Sequence, residues 1–416
     1  MNGETTLSRR AFLGTIGLGA IGTLATPHLV FGASGAGTTR DILICIFLRG
    51  GADGLNVVVP HGDPRYYALR PTLAIAPPGP GADRAINLDG FFGLHPALGA
   101  LAPLYTAGVL APVHAIGSPY PTHSHFDGMD YIERGTPGQK VLFTGWLGRH
   151  LETIAAGSAS PFRAVGVGEH VQTSLRGSVP ATAFSSLDEF QIFGDGRGDG
   201  RFLGSLATLY GGASPLSIQA QQTFQAVARV AGLDPDAYQP EHGAVYPDGS
   251  WFASGLRQLA QIIKADLGLE VACLDLGGWD THEGEGGADG SMASLLSELA
   301  GSLMAFYTDL GTRTARITIV TMSEFGRRAE ENGTRGTDHG HGSCWLVLGG
   351  GINGGRVYGT WPGLRADQLA DGDLAVTTDF RNVLGEIVVR RLANPSVATV
   401  FPGLGTPQYP GLAKSL

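Results

Sequence analysis

The stretch Glu270-Val-Ala-Cys-Leu-Asp-Leu276 leads directly into Gly277-Gly-Trp-Asp-Thr-His282, and Arg316-Ile-Thr-Ile-Val-Thr-Met322 leads in the same way into Ser323-Glu-Phe-Gly-Arg-Arg328. Each pair joins an apolar run of strand length to a loop rich in glycine and polar side chains. Such runs are typical of strands buried on both faces of a parallel sheet. Ligands bind just beyond the carboxyl ends of the strands in these sheets. The two loops therefore predict a functional site at that edge.

Apolar runs and helical segments alternate along most of the chain. Residues 41–48, 109–116 and 343–348 also have the composition of strands. Helices are expected over the segments 95–107, 124–135, 250–266, 291–311 and 379–392. Strands that alternate with helices of this length predict an α/β fold, with a mostly parallel central sheet and helices on both faces.

Residues 160 to about 248 differ from the rest of the chain. Short extended pieces at 162–167 give way to a polar Gly/Asp-rich stretch at 194–200, and helical periodicity follows at about 216–231. We interpret this range as a possible cap region inserted into one domain that covers about residues 40–410.

The first 33 residues have the features of an export signal. Ser8-Arg-Arg-Ala-Phe-Leu13 contains a twin-arginine pattern, an apolar run continues to about residue 30, and Phe31-Gly-Ala33 offers a cleavage site. A membrane anchor is the alternative, but glycines and a proline interrupt the run, which makes it a poor membrane span. The sequence predicts a protein that the twin-arginine translocase exports in folded form to the periplasm or the medium.

Composition indicates a water-soluble globular protein with long loops. Glycine accounts for 65 of 416 residues, about twice its usual share of roughly 7%. The net charge is −9, without a basic tract, which argues against nucleic-acid binding. Cys45, Cys273 and Cys344 each lie in an apolar run and are expected to be buried strand residues.

Carboxylate and imidazole side chains are concentrated on the loops at the predicted edge. This mixture of ligands suits a divalent metal ion. The alternatives are carboxylates that cap turns and histidines exposed to solvent. The candidate metal ligands are Asp53, Asp280, His282, Glu324, Asp338, His339 and His341.

Ser124 is the candidate nucleophile. It lies at the expected start of a helix, with Asp127 three positions later as in a capping box. Helix N-termini favour anions, and a metal ion can lower the pKa of a hydroxyl group. The alternative is an ordinary helix cap. His123 and His125 are candidate proton donors or surface residues, and Arg327 and Arg328 either bind an anionic group or form salt bridges.

Seven motifs follow one another along the chain: Phe47-Leu-Arg-Gly-Gly-Ala-Asp-Gly-Leu-Asn56, Ser124-His-Phe-Asp127, Tyr131-Ile-Glu-Arg-Gly135, Gly145-Trp-Leu-Gly148, Gly278-Trp-Asp-Thr-His282, Ser323-Glu-Phe-Gly326 and Thr337-Asp-His-Gly340. This ordered set resembles a bacterial exported family catalogued as domain of unknown function 1501, and the resemblance covers about residues 40–410. That family in turn resembles the alkaline phosphatase and sulfatase superfamily.

The resemblance to the superfamily implies two metal ions and a nucleophile at the carboxyl edge of the sheet. By position it implies that Ser124 is the nucleophile and that Asp53, Asp280, His282 and His339 are ligands. Glu324 then matches the first residue of an Asp-His ligand pair, and Phe325 takes the place of its histidine. The second site would then be rich in oxygen ligands and would suit Mg, Ca or Mn better than Zn, or would bind no metal.

These residues predict an exported hydrolase of phosphate or related anionic esters, small or polymeric, that depends on divalent Zn, Mn, Mg or Ca. Arg327 would help to clamp the anion. One alternative, favoured by Phe325, is a non-catalytic exported protein that keeps the fold and at most a structural metal. A second alternative is a phosphomutase-like transferase of the same superfamily.

Overall fold

The computed structural model describes residues 40–156, 160–187, 201–230 and 237–416. The predicted export signal and the Gly/Asp-rich stretch at 194–200 lie outside these ranges. Export therefore stays a prediction. Among the described residues, none of the helices combines the length and the hydropathy of a membrane span.

The strands of the described ranges are β1 (Ile42–Leu48), β2 (Val58–Val59), β3 (Ile86–Asn87), β4 (Gly93–Leu94), β5 (Leu110–Gly117), β6 (Ala164–Val167), β7 (Thr182–Phe184), β8 (Val271–Leu276), β9 (Ile317–Met322), β10 (Ser343–Gly349) and β11 (Thr378–Asp379). Eight of them form the central sheet, in the order β11-β5-β10-β9-β1-β8-β6-β7, and the other three form a small antiparallel sheet in the order β2-β4-β3.

The predicted fold class is confirmed, because the central sheet is mostly parallel. Strand β1 pairs in parallel with both β8 and β9, and β6 pairs in parallel with β7 and β8. Only β10 is antiparallel to its neighbours, β9 and β5. The physical reason lies in the connection: a parallel neighbour needs a crossover, usually a helix, whereas β9 reaches β10 through a glycine-rich loop.

The α-helices of the described ranges cover the sheet and connect its strands. They are α1 (Gly54–Val57), α2 (Pro64–Leu69), α3 (Ala102–Thr106), α4 (His125–Arg134), α5 (Trp146–Thr153), α6 (Arg201–Leu209), α7 (Pro215–Val230), α8 (Trp251–Lys264), α9 (Ser291–Leu310), α10 (Phe380–Arg390) and α11 (Val397–Val400). Short 3-10 helices cover Pro96–Leu101, Thr173–Leu175 and Gly311–Arg316.

Helices cover both faces of the sheet, as predicted. Successive side chains of a strand point to opposite faces. Ile44 and Ile46 of β1 accordingly belong to an apolar cluster that includes α8 and α9, whereas Cys45 and Phe47 belong to a second cluster with α5 and α10. The three cysteines are buried, as their apolar surroundings predict.

Two ranges depart in detail from the sequence-based expectations. The helix expected over 95–107 is a 3-10 segment followed by the short helix α3, because Pro103 has no amide hydrogen to donate to the carbonyl of residue 99. Residues 164–167 and 182–184, within the range interpreted as a possible cap, are strands β6 and β7 of the central sheet. The cap itself stays a prediction for the rest of that range.

Candidate metal centre

Three loops meet at the carboxyl edge of the sheet. The loop after β8 carries Asp280 and His282, the loop between β9 and β10 carries His339, and the loop after β5 ends at His125, the first residue of α4. Glycine permits the close approach of two of these loops. A Cβ atom at Gly336 would lie 2.4 Å from the backbone of His282, so any other residue there would push the loops apart.

Four side chains converge at this point. The Asp280 Oδ1 atom lies 3.0 Å from His339 Nε2 and 3.1 Å from His282 Nε2, and Asp280 Oδ2 lies 3.4 Å from His125 Nε2. The ligand atoms of His125, Asp280 and His339 all lie within 4.8 Å of one another. Two imidazoles and a carboxylate at such distances are suitable ligands for a metal ion, and His282 offers a third imidazole beside Asp280 and His339.

Each of the three imidazoles is held by its Nδ1 atom. His125 Nδ1 lies 2.8 Å from Glu324 Oε1, and His282 Nδ1 lies 2.9 Å from Asp338 Oδ1. His339 Nδ1 donates to the carbonyl oxygen of His123 at 2.7 Å. Since the partners of Nδ1 are acceptors, the proton belongs on Nδ1 and the lone pair on Nε2. This is the orientation that a metal-binding histidine takes.

With their protons on Nδ1, the imidazoles have no hydrogen on Nε2 to donate to one another or to Asp280. The His125 Nε2 atom is buried without a hydrogen-bond partner among the described residues. His282 Nε2 and His339 Nε2 lie only 2.9 Å apart, so two lone pairs would face each other. A positive ion between them removes both problems, and the chemistry of the donors therefore fits a metal.

The charge on Asp280 is also favoured. Burial alone would raise the pKa of Asp280, but the hydrogen bond from Arg327, the neighbouring His339 and the charge of Arg327 lower it to about 2. The carboxylate is therefore ionised at neutral pH and available as a ligand. The Asp280 and His282 side chains are 48% and 42% exposed, which leaves the cluster accessible from solvent.

Glu324 and Asp338, predicted as ligands, lie behind the imidazoles instead of beside the converging atoms. Glu324 is buried, and its Oε1 atom also accepts the amide of Gly50 at 2.8 Å, while its Oε2 atom accepts the hydroxyl of Ser323 at 3.1 Å. Asp338 Oδ1 additionally accepts the Asn332 amide at 3.1 Å. Both carboxylates orient the imidazoles of candidate ligands in this geometry.

His341 and Asp53 lie outside the cluster. The His341 Nε2 atom donates to the carbonyl oxygen of Ser118 at 2.8 Å. Asp53 is buried and forms a two-pronged ion pair with Arg70, which is also fully buried. Burial disfavours the charged form, but Arg70 outweighs this and lowers the pKa of Asp53.

Arg327 has a different position from that expected of an anion clamp. Its side chain is buried, and it donates to the carbonyl oxygens of Gly50, Gly51, Trp279 and Thr337 and to Asp280 Oδ1. The guanidinium group thereby ties the loops after β1, β8 and β9 together. Its N–H groups donate to other groups of the protein in this arrangement. Arg327 is therefore better placed to hold the loops of the site together than to bind an anion.

Ser124 and Phe325 border the cluster. Ser124 is the exposed N-cap of α4, and its Oγ atom accepts the amide of Asp127 at 3.5 Å. Phe325 is buried, and its ring centroid lies 5.0 Å from that of His125 and 4.9 Å from that of His339. The phenyl ring forms an apolar wall against two candidate ligands.

His125 is the site residue that sequence reasoning missed as a ligand. The sequence predicts His125 as a proton donor or a surface residue, without a role as a ligand. One feature of the sequence could have identified His125 as a candidate ligand. It begins the helix that follows β5, and β5 ends at the same edge of the sheet as the loop that carries Asp280. His125 places a further imidazole beside Asp280, against the ring of Phe325.

A family model described as a protein of unknown function, DUF1501, matches residues 95–383. The chain belongs to this family. The predicted family membership is thus confirmed over more than half of the sequence. No curated protein matches the chain.

Solved structures with similar folds are remote from this DUF1501 chain. One is the lipoteichoic acid synthase LtaP from Listeria monocytogenes, with a TM-score of 0.35 and 9% identity over 82% of this chain and 76% of that chain. Another is the PsFucS1 sulfatase from Pseudoalteromonas sp., with a TM-score of 0.33 and 11% identity over 76% of this chain and 64% of that chain. The PH0037 protein from Pyrococcus horikoshii has a TM-score of 0.30 and 13% identity over 74% of this chain and 86% of that chain. Similarities at this level carry no conclusion about activity.

A buried carboxyl group near the cluster, that of Glu285, was also missed by the sequence analysis. Glu285 is fully buried, and its Oε2 atom accepts the hydroxyls of Thr281 at 2.9 Å and Thr337 at 2.6 Å. Burial, followed by the nearby charge of Asp53, raises the pKa of Glu285 to about 8. A carboxyl group that keeps its proton can donate it to Asp53, and the two acids then share one negative charge opposite Arg70.

Glu285 should make the protein less stable as pH rises. The folded state holds this proton up to about pH 8, whereas the unfolded chain releases it near the ordinary pKa of 4.5. The folded state thus binds more protons between these values, so the free energy of unfolding falls by about 2–3 kcal/mol between about pH 5 and pH 7. Urea unfolding at several pH values across this range would measure the effect. In Glu285→Gln the free energy of unfolding should not fall in this way, because glutamine keeps the hydrogen bonds but cannot ionise. An equal fall with pH in the wild type and the variant would contradict the assignment.

Proposed function

We propose that this DUF1501 protein is a metal-dependent hydrolase of phosphate or related anionic esters, with Ser124 as its nucleophile. The observation that carries the proposal is the convergence of three Nε2 atoms on Asp280, each on an imidazole anchored through Nδ1. When bound there, a divalent cation supplies Lewis-acid stabilisation of the charge on a transferring phosphoryl or sulfuryl group.

The position of α4 links the nucleophile to this cluster. His125 is the first residue of α4, and Ser124 is its N-cap, so the hydroxyl lies one residue from a candidate ligand. The free amides at the N-terminus of a helix favour a bound anion. In the first step, a bond forms between Ser124 Oγ and phosphorus while the bond from phosphorus to the ester oxygen breaks, and the proton of the Ser124 hydroxyl is transferred to the departing alcohol. Water then attacks phosphorus and breaks its bond to Ser124 Oγ, which releases phosphate and restores the hydroxyl group.

A non-catalytic, metal-binding protein is the second candidate. The observation that favours it is the arrangement of Ser124 and Arg327, since the hydroxyl caps α4 and the guanidinium group is used by the loops. Under this candidate the metal stabilises the edge of the sheet, and the protein binds an ion without turning over an ester.

A substrate screen separates the two candidates. Purified protein, loaded in turn with Zn²⁺, Mn²⁺, Mg²⁺ and Ca²⁺, would be assayed on an aryl phosphate, an aryl phosphodiester and an aryl sulfate. We expect hydrolysis of at least one ester, its loss after chelation and its return when the metal is restored. Metal-loaded protein that hydrolyses none of these esters would favour the non-catalytic candidate.

Export by the twin-arginine translocase is proposed as the cellular context. It rests on Arg9 and Arg10 within the sequence pattern near the start of the chain. Arg9→Lys/Arg10→Lys should leave the protein in the cytoplasm, as measured by fractionation of cells that express it. Export of the double variant at the normal level would refute the assignment.

A further inference from the structure

We infer that this site holds one metal ion of the Zn²⁺ class, bound by His125, Asp280, His282 and His339, and that Arg70 takes the place of a second cation beside Asp53. The inference rests on the metal site of the proposed function but is independent of whether the protein hydrolyses esters. It differs from the expectation of a second, oxygen-rich metal site that the sequence suggested.

The donor atoms argue for the class of metal. Three of the four converging side chains offer an imidazole nitrogen, and Asp280 offers a carboxylate oxygen. Imidazole ligands suit Zn²⁺ and its neighbours in the first transition series, whereas Mg²⁺ and Ca²⁺ take oxygen ligands. The oxygen atoms that would have favoured a harder ion are occupied elsewhere.

Asp53 is not free to bind a second metal ion, because its carboxylate is already paired with Arg70. Its two carboxylate oxygens face the two Nη atoms of Arg70, and Arg70 Nη1 also lies 3.0 Å from Asn56 Oδ1. Arg70 is held further by the carbonyl oxygens of Ala329 at 3.0 Å and Arg328 at 2.8 Å. The guanidinium group therefore supplies a permanent positive charge where a metal would otherwise be needed.

Glu324 is unavailable to a second ion as well. Both of its oxygen atoms accept hydrogen bonds, and the neighbouring Phe325 presents only a ring. Among the described residues, the only group of three or more His, Cys, Asp or Glu side chains with ligand atoms close enough to hold an ion is His125, Asp280 and His339. His282 adds a fourth donor beside two of these residues.

Metal content and metal preference test the inference directly. Metal-free protein would be incubated with Zn²⁺, Co²⁺, Mg²⁺ or Ca²⁺, dialysed, and analysed by mass spectrometry for metal per chain and by calorimetry for affinity. We expect one Zn²⁺ per chain, a comparable Co²⁺ site, and binding of Zn²⁺ at least about 100-fold tighter than that of Mg²⁺ or Ca²⁺. Two ions per chain, or a preference for Mg²⁺ or Ca²⁺, would overturn the inference.

Variants distinguish the ligands from their neighbours. Loss of a residue that only orients a ligand lowers metal affinity by roughly 10–100-fold, and Glu324→Gln should lower Zn²⁺ affinity by this amount. His125→Ala and Asp280→Asn remove ligands themselves, so they should lower Zn²⁺ affinity further. His341→Ala is the matched control, because it removes a nearby imidazole outside the cluster. Unchanged Zn²⁺ affinity in His125→Ala would overturn the ligand assignment. A protein that binds one Zn²⁺ but hydrolyses no ester would refute only the proposed function.

Discussion

Ser124→Ala is expected to lower kcat for the ester substrate by at least about 10⁴-fold while leaving one metal ion bound. Loss of a nucleophile removes a whole covalent step, and comparable substitutions in serine hydrolases cost about 10⁶-fold. The metal should stay, because the ligand atoms belong to other residues, of which His125 is the nearest in sequence. Steady-state kinetics on the substrate found by the screen, together with metal analysis, would measure both effects.

Loss of the helix cap must be separated from loss of the nucleophile. Ser124 caps α4, and replacing a cap with alanine costs about 0.5–2 kcal/mol. Ser124→Asn keeps a capping side chain but has no hydroxyl, so it should be as inactive as Ser124→Ala and close to the wild type in urea unfolding. Activity within tenfold of the wild type in both variants would show that water attacks the ester and that Ser124 serves only as a cap.

Arg70→Met should lower the free energy of unfolding by about 3–5 kcal/mol, since breaking a buried ion pair leaves an uncompensated charge in the interior. The side chain is fully buried and bonds to Asp53, Asn56 and two carbonyl oxygens at once. Urea unfolding at neutral pH, with CD and intrinsic fluorescence as probes, would measure the loss.

The Asp53→Asn/Arg70→Met double variant provides the matched control. Because it removes both charges, it should recover part of the stability that Arg70→Met loses. With the Asp53→Asn single variant measured as well, the double-variant change minus the two single-variant changes gives the coupling between the two residues. Metal content should remain at one ion per chain in every folded variant. A loss below about 1 kcal/mol in Arg70→Met, or a second metal ion bound at Asp53, would contradict the role assigned to Arg70.

The ends of the strands explain how much of the site could be predicted. Asp280, His282 and His339 were predicted because each lies on a loop that continues a buried run, and parallel strands place such loops at one edge. The three side chains are in mutual contact in the structure. The roles of the other candidates depend on neighbours that lie far away in the chain.

Glu324 and His125 show this limit most clearly. The two residues are 199 positions apart, and only the packing of α4 against the loop after β9 brings the carboxylate to within 2.8 Å of the imidazole. Asp53 has the same property: its partner Arg70 lies only 17 positions away, but Arg70 is oriented by carbonyl oxygens of residues 328 and 329. Sequence patterns identify groups that could bind a metal, whereas these contacts decide which of them are free to do so.

The sequence by itself determined the α/β class, most strand and helix positions, the family, and the edge of the sheet where polar side chains gather. Local periodicity and the carboxyl-end rule are sufficient for these features, since they depend on neighbouring residues along the chain. Tertiary structure alone decided that His125 joins the cluster and that Glu324 and Asp338 orient imidazoles. It also decided that Arg327 and Arg70 are buried and hydrogen-bonded to several loops. Hydrogen bonds and ion pairs act over about 3 Å, so the role of each side chain depends on which distant segments the fold brings beside it.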